Sequence, residues 1–251
     1  MALVAGASPA DAGRLAASMV ALQAGIGTIN DLVDAPHDAG HKPGKPIPAG
    51  LVGPGVAGVV AAAAFAAGLA LALPSGWPTL ALGLVVILIG LTYDLWLKGT
   101  ALSWLPFAAG IPLLPVYGWL GAKGSLPDVF VVLVPIAVLA GAALAIGNAL
   151  ADLERDEAAG IGSIAVALGA RRAATVHVAI VAAIGLAAVL SSVALGGTVG
   201  QVVLVGLGAI VPLVAAALGS GGGPPRRERA WEAEAVGFAL LAPTWLWVAI
   251  A

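Results

Sequence analysis

Two segments hold most of the chemistry available to this chain: "NDLVDAPHDAGHKPGKPIPAG" at 30–50 and "GNALADLERDEAAG" at 147–160. Asn30, Asp34 and Asp38 are spaced N-x3-D-x3-D, and so are Asn148, Asp152 and Asp156. At about 100° per residue, helical positions four apart advance by only about 40°. Asp152 and Asp156 therefore share a face, with Asn148 a turn behind. Asp31 and Asp34 fall within one stripe, while Pro36 is expected to end or bend the helix before Asp38. Carboxylates stacked this way repel one another, and more so beside a membrane. A divalent cation offsets that repulsion. Ligands that are all oxygen, with no cysteine and no clear histidine pair, favour Mg²⁺ over zinc. Magnesium takes one or two carboxylates, keeps several waters and bridges to phosphate, so two such clusters fit a Mg²⁺-bound diphosphate held between them. Acid-rich loops that are merely solvated are the plainer alternative; two copies with matching spacing argue against it.

The remainder of the chain has to place these groups, and it is built for lipid. Of 251 residues 61% are hydrophobic and 10% charged, with mean hydropathy +1.05, whereas a soluble domain carries about 25% charged residues. Apolar runs of spanning length predict helices near 11–31, 51–73, 79–97, 101–120, 128–150, 171–194, 198–218 and 231–250. The expected fold is an all-α integral membrane bundle of about eight helices, one domain over 1–251. The paired motifs hint at four-helix halves over 11–120 and 128–250. Abundant Gly and Ala suit close helix packing in a bilayer. Pro106, Pro112, Pro115, Pro135, Pro212 and Pro243 are expected to kink helices or start new turns. Segment 219–229, "GSGGGPPRRER", reads as a flexible loop with an orienting basic run. A net charge of −2 argues against a nucleic-acid partner.

Eight helices alternate sides, which sorts the connections into two groups. Lys42, Lys45, Lys98, Arg155, Arg171, Arg172, Arg226, Arg227 and Arg229 fall on one side, and only Arg14 and Lys123 on the other. The positive-inside rule assigns the first group to the cytoplasm. Four helices separate the two motifs, so both lie at cytoplasmic helix ends in the cell membrane. Tyr93 and Asp94 end the third helix on that side; they are candidates for a catalytic or acceptor-binding role, or form an interfacial cap. Arg155, between two motif aspartates, pairs either with them or with the diphosphate. His37 and His41 read as solvent-facing loop residues, and His177 as a packing or helix–helix hydrogen-bonding residue.

The motifs resemble those of the UbiA superfamily of intramembrane prenyltransferases. "NDLVDAPHD" matches that family's NDxxDxxxD, and "KPGKPIPAG" is similar to its KPxRPIPSG, with Lys45 where arginine is commoner. "NALADLERDEAAGIGSIAVALG" resembles the second family motif, and "YDLWLKGT" lies where the family has a Tyr- and Lys-containing loop. The resemblance implies a helical bundle around a central cavity and transfer of an isoprenyl group from an allylic polyprenyl diphosphate to a lipophilic or aromatic acceptor. It implies one Mg²⁺ on Asn30, Asp31, Asp34 and Asp38 and another on Asn148, Asp152 and Asp156. Asp31, Asp34, Asp152 and Asp156 are its catalytic carboxylates, and Lys45 and Lys98 take diphosphate oxygens. The family's usual first helix, ahead of the first motif, is missing from this stretch, which predicts a further helix before residue 1.

Two other functions use the same features. A terpene cyclase on this scaffold ionises the same diphosphate and captures the cation with the substrate's own double bond. An ion-binding transporter instead expects ionisable residues at mid-helix and broken helix pairs, whereas here the acids gather at one face.

Overall fold

The computed structural model describes residues 1–39 and 44–250, apart from the His37 side chain. The expectations concerning His41, Lys42 and the His37 side chain lie outside the described residues. Among the described residues the secondary structure is helical: α1 (Pro9–Asp38), α2 (Pro54–Ala72), α3 (Trp77–Thr92), α4 (Leu105–Gly110), α5 (Leu113–Lys123), α6 (Phe130–Ala151), α7 (Leu153–Ala159), α8 (Ile164–Leu168), α9 (Ala170–Ala194), α10 (Val199–Ser220) and α11 (Pro224–Ala249). Short 3₁₀ and π-helical turns extend α2 to Ser75 and α3 to Leu97.

Among the described residues, six helical stretches are long and apolar enough to cross a membrane: Pro54–Ser75, Trp77–Leu97, Leu105–Lys123, Phe130–Ala151, Ala170–Ala194 and Val199–Ser220. α1 and α11 occupy the other two expected positions. Each trades apolar length for charge, α1 at its motif end and α11 in its first turns, which hold Arg226, Arg227 and Arg229.

At Pro36 and at 219–229 the local expectation is corrected, and at Pro112 the expected new turn is found. The helix continues through Pro36 to Asp38 and closes with the Ala39 N–H donating to the Ala35 carbonyl. The proline forfeits one backbone bond, but the last turn is held by contacts of the Asp38 side chain described below. The expected fourth helix is split at Ile111–Pro112 into α4 and α5, where a proline has no N–H to continue the ladder. Segment 219–229 is not wholly a loop, because Pro224 and Pro225 begin α11. Proline at the first helical positions loses nothing and presets φ.

The chain forms two compact units, residues 1–97 with 113–127, and 98–112 with 128–251. In the first, α1 lies against α2 and α3 through small residues. Gly25 faces the Phe65 ring, Gly68 faces Leu22, and Gly90 faces Ile26, and a Cβ at any of the three would collide. The buried Ser18 hydroxyl donates to the Gly68 carbonyl (2.6 Å) and meets the Tyr117 hydroxyl (2.6 Å), joining α1, α2 and α5. α1 is thereby fixed in rotation and height, and so is the end that carries the first motif.

In the second unit α6 is the central helix, buried against α4, α9 and α11. Gly141 lets α4 approach until its missing Cβ would overlap the Phe107 carbonyl. α10 packs between α9 and α11, with Gly185 facing Ala209 and Gly237 facing Pro212. These contacts hold the C-terminal end of α6, where the second motif begins.

Candidate active site

The first motif is one helical stripe on which the Lys45 ammonium sits. Asp31, Asp34 and Asp38 stand at i, i+3 and i+7 on α1, and because the helix continues past Pro36 all three converge. The Lys45 Nζ lies 2.7 Å from Asp31, 2.8 Å from Asp38 and 3.8 Å from Asp34. Exposure falls from 37% at the Asp31 side chain to 8% at Asp38, so the cluster opens on the Asp31 side. Burial works against the Lys45 ammonium, but hydrogen bonds to Asp31 and Asp38 outweigh it and hold the pKa above the usual lysine value.

Asn30 lies beside this stripe rather than on it. Its Nδ2 donates to Asp94 Oδ1 at 2.8 Å. Asp94 is 4% exposed and is carried by the π-helical turn Tyr93–Leu97. π turns recur at functional sites, because the extra residue re-aims the side chains that follow. Asp94 is thus buried and tied to the first motif. Tyr93 is partly buried on the same turn. Lys98 follows that turn in sequence but belongs to the second unit.

The second motif has the same spacing and a different build. α6 ends at Ala151 and α7 begins at Leu153, with Asp152 between them at φ −93°, ψ 0°. That is the sparsely populated bridge region. The expected single stripe is therefore broken at its middle residue. Backbone bonds still pass through the break, from Asp152 N–H to the Asn148 carbonyl (3.1 Å) and from Asp156 N–H to the Asp152 carbonyl (2.9 Å). Arg155 Nη2 lies 3.1 Å from Asp152 Oδ1. Burial pushes the Asp156 carboxyl above the usual carboxylate range; the Ser163 hydroxyl lowers it, Asp152 raises it and Arg155 lowers it.

Among the described residues, no group of three or more His, Cys, Asp or Glu side chains is gathered as a ready metal cage. The first cluster instead surrounds an ammonium. Three carboxylates within 4 Å of the Lys45 ammonium are nonetheless the donor set that suits a hard divalent ion such as Mg²⁺.

Sequence reasoning missed a third group of residues. Arg227, Trp231 and Glu234 lie at i, i+4 and i+7 on α11 and face α6, α7 and α9. His177 Nε2 is 2.8 Å from Glu234 Oε2, the carboxylate being fully buried, which agrees with the helix-contact reading of His177. The polar spacing within an apolar helix was the available signal, hidden by reading the first turn of α11 as loop.

The chain matches the UbiA prenyltransferase family over residues 1–242. It is 35% identical to a digeranylgeranylglyceryl phosphate synthase of Methanopyrus kandleri, over 81% of this chain and 74% of that protein. It spans between 56% and 74% of the lengths of the digeranylgeranylglyceryl phosphate synthases it matches. A UbiA homologue from Aeropyrum pernix superposes with TM-score 0.77 at 22% identity, covering 97% of this chain and 92% of the other. Another from Archaeoglobus fulgidus, solved with GPP and Mg²⁺, gives TM-score 0.74 at 19% identity, covering 95% and 90%. With both aspartate motifs in place, six apolar helices of spanning length and a family match along nearly its whole length, this integral membrane protein belongs to the UbiA prenyltransferase family.

Proposed function

We propose that this protein transfers an isoprenyl group, with Mg²⁺, from an allylic polyprenyl diphosphate to a prenylated glycerol phosphate lipid. The observation that carries the reading is the convergence of Asp31, Asp34 and Asp38 on the Lys45 ammonium. The names of its curated relatives support the acceptor class. Asn30, Asp31, Asp34 and Asp38 would hold one Mg²⁺, and Asn148, Asp152 and Asp156 a second. Bound Mg²⁺ supplies positive charge that stabilises the leaving diphosphate. Lys45, displaced from its carboxylates, takes a diphosphate oxygen, and Lys98 does the same. Asp94 holds Asn30 in place, which fixes the amide relative to the α1 stripe. Apolar helices keep water from the allylic cation until the acceptor captures it.

The test is a membrane assay with labelled geranyl, farnesyl and geranylgeranyl diphosphates against quinone-precursor, chlorophyllide-like and prenylglycerol phosphate acceptors. A Mg²⁺-dependent product only with the glycerol phosphate lipid is expected. Transfer to an aromatic acceptor overturns the acceptor, and hydrocarbon products formed without any acceptor overturn transfer in favour of cyclisation.

The motif-bearing loops are assigned to the cytoplasmic side of the cell membrane, on the strength of the basic residues gathered there. This cysteine-free chain allows a direct check with introduced cysteines. Position 222 should resist an impermeant thiol reagent in intact cells while position 124 reacts; the reverse pattern overturns the orientation.

A further inference from the structure

The break at Asp152 is fastened from outside the motif. Arg227, whose side chain is 14% exposed, donates from Nη1 to the Leu150 carbonyl (3.1 Å) and to both Glu154 oxygens (2.9 and 3.1 Å). Leu150 lies in the last turn of α6 and Glu154 in the first turn of α7, so one guanidinium spans the break. The Leu150 carbonyl belongs to the C-terminal turn, where carbonyls lack helical partners and a cation is favourable. One turn along α11, Trp231 Nε1 donates to the Leu144 carbonyl at 2.9 Å. Gly147 leaves room for this approach, since a Cβ there would lie 3.1 Å from both Trp231 and His177.

We propose that Arg227 is a positioning residue for the second aspartate motif, strapping α6 to α7 so that Asp152 is presented at a fixed angle before any metal arrives. This rests on the assignment of Asp152 to the Mg²⁺ site. An orienting basic charge or an ordinary surface ion pair would need neither the Leu150 contact nor the burial. Such a pair contributes little, whereas partners that orient metal ligands change metal affinity by roughly 10–100-fold.

The experiment compares Arg227→Met, Arg227→Lys, Glu154→Gln and Asp152→Asn in the full chain in detergent. Backbone hydrogen exchange over 148–160 is followed in metal-free protein, and turnover is titrated with Mg²⁺. For Arg227→Met, faster exchange and about a tenfold rise in half-saturating Mg²⁺ are expected, with the KM for acceptor unmoved. Glu154→Gln should move both readouts the same way by less, and Arg227→Lys should recover part of the loss. Should Arg227→Met fail to fold, the half-exposed Glu154→Gln decides alone. Wild-type exchange and Mg²⁺ curves in the folded strap variants, with turnover lost in Asp152→Asn, overturn the strap. Unchanged turnover in Asp152→Asn overturns the metal assignment beneath it instead.

Discussion

The two aspartate motifs share a spacing and little else. In the first, one uninterrupted helix stacks the carboxylates and a lysine from the following segment neutralises them from within. In the second, the helix breaks at the middle aspartate, the nearest cation within the motif is the exposed Arg155, and Arg227 of α11 contacts Leu150 and Glu154 on either side of the break. Equal spacing thus supports two solutions to one electrostatic problem. In the first motif the counter-charge sits among the stacked carboxylates, and in the second an exposed arginine pairs with the aspartate at the break.

The largest expected effect tests whether both solutions serve one reaction. Asp34→Asn and Asp152→Asn should each lower turnover by about 100-fold or more, as expected when charge stabilisation of a leaving group is lost. Both proteins should remain folded in detergent. Near-normal turnover in either variant would break the equivalence of the motifs.

A smaller effect separates the two ways of balancing charge. Lys45→Met removes the ammonium that lies within 4 Å of Asp31, Asp34 and Asp38. Turnover at saturating Mg²⁺ should fall about 10–100-fold through the lost contact to the diphosphate. The metal-free protein should also unfold at a lower temperature, and Mg²⁺ should restore part of that loss. Arg155→Gln, by contrast, removes a cation whose side chain is 71% exposed. Its thermal midpoint should stay within about a degree or two, since exposed pairs contribute little. Thermal melts with and without Mg²⁺ check both, and equal sensitivity of the two variants would erase the distinction.

The sequence by itself determined the solvent, the helical class, the approximate position of each long helix and the two clusters that any chemistry must use. Those properties are additive or local: hydropathy sums along a run, and a four-residue spacing sets a face wherever the helix is regular. It also carried enough motif to point to the family. The outcome at each irregularity was decided only by tertiary structure. Pro36 continues its helix because Lys45 grips Asp31 and Asp38, two turns apart. Asp152 interrupts its own helix where α11 supplies a partner for the Leu150 carbonyl. Asp94 became part of the first motif through a contact with Asn30 from a distant helix. At Pro36 local propensity alone runs against the helix, by about 3 kcal/mol for an interior proline. A side chain brought in from far along the chain decides the outcome, and no local reading of spacing contains that side chain.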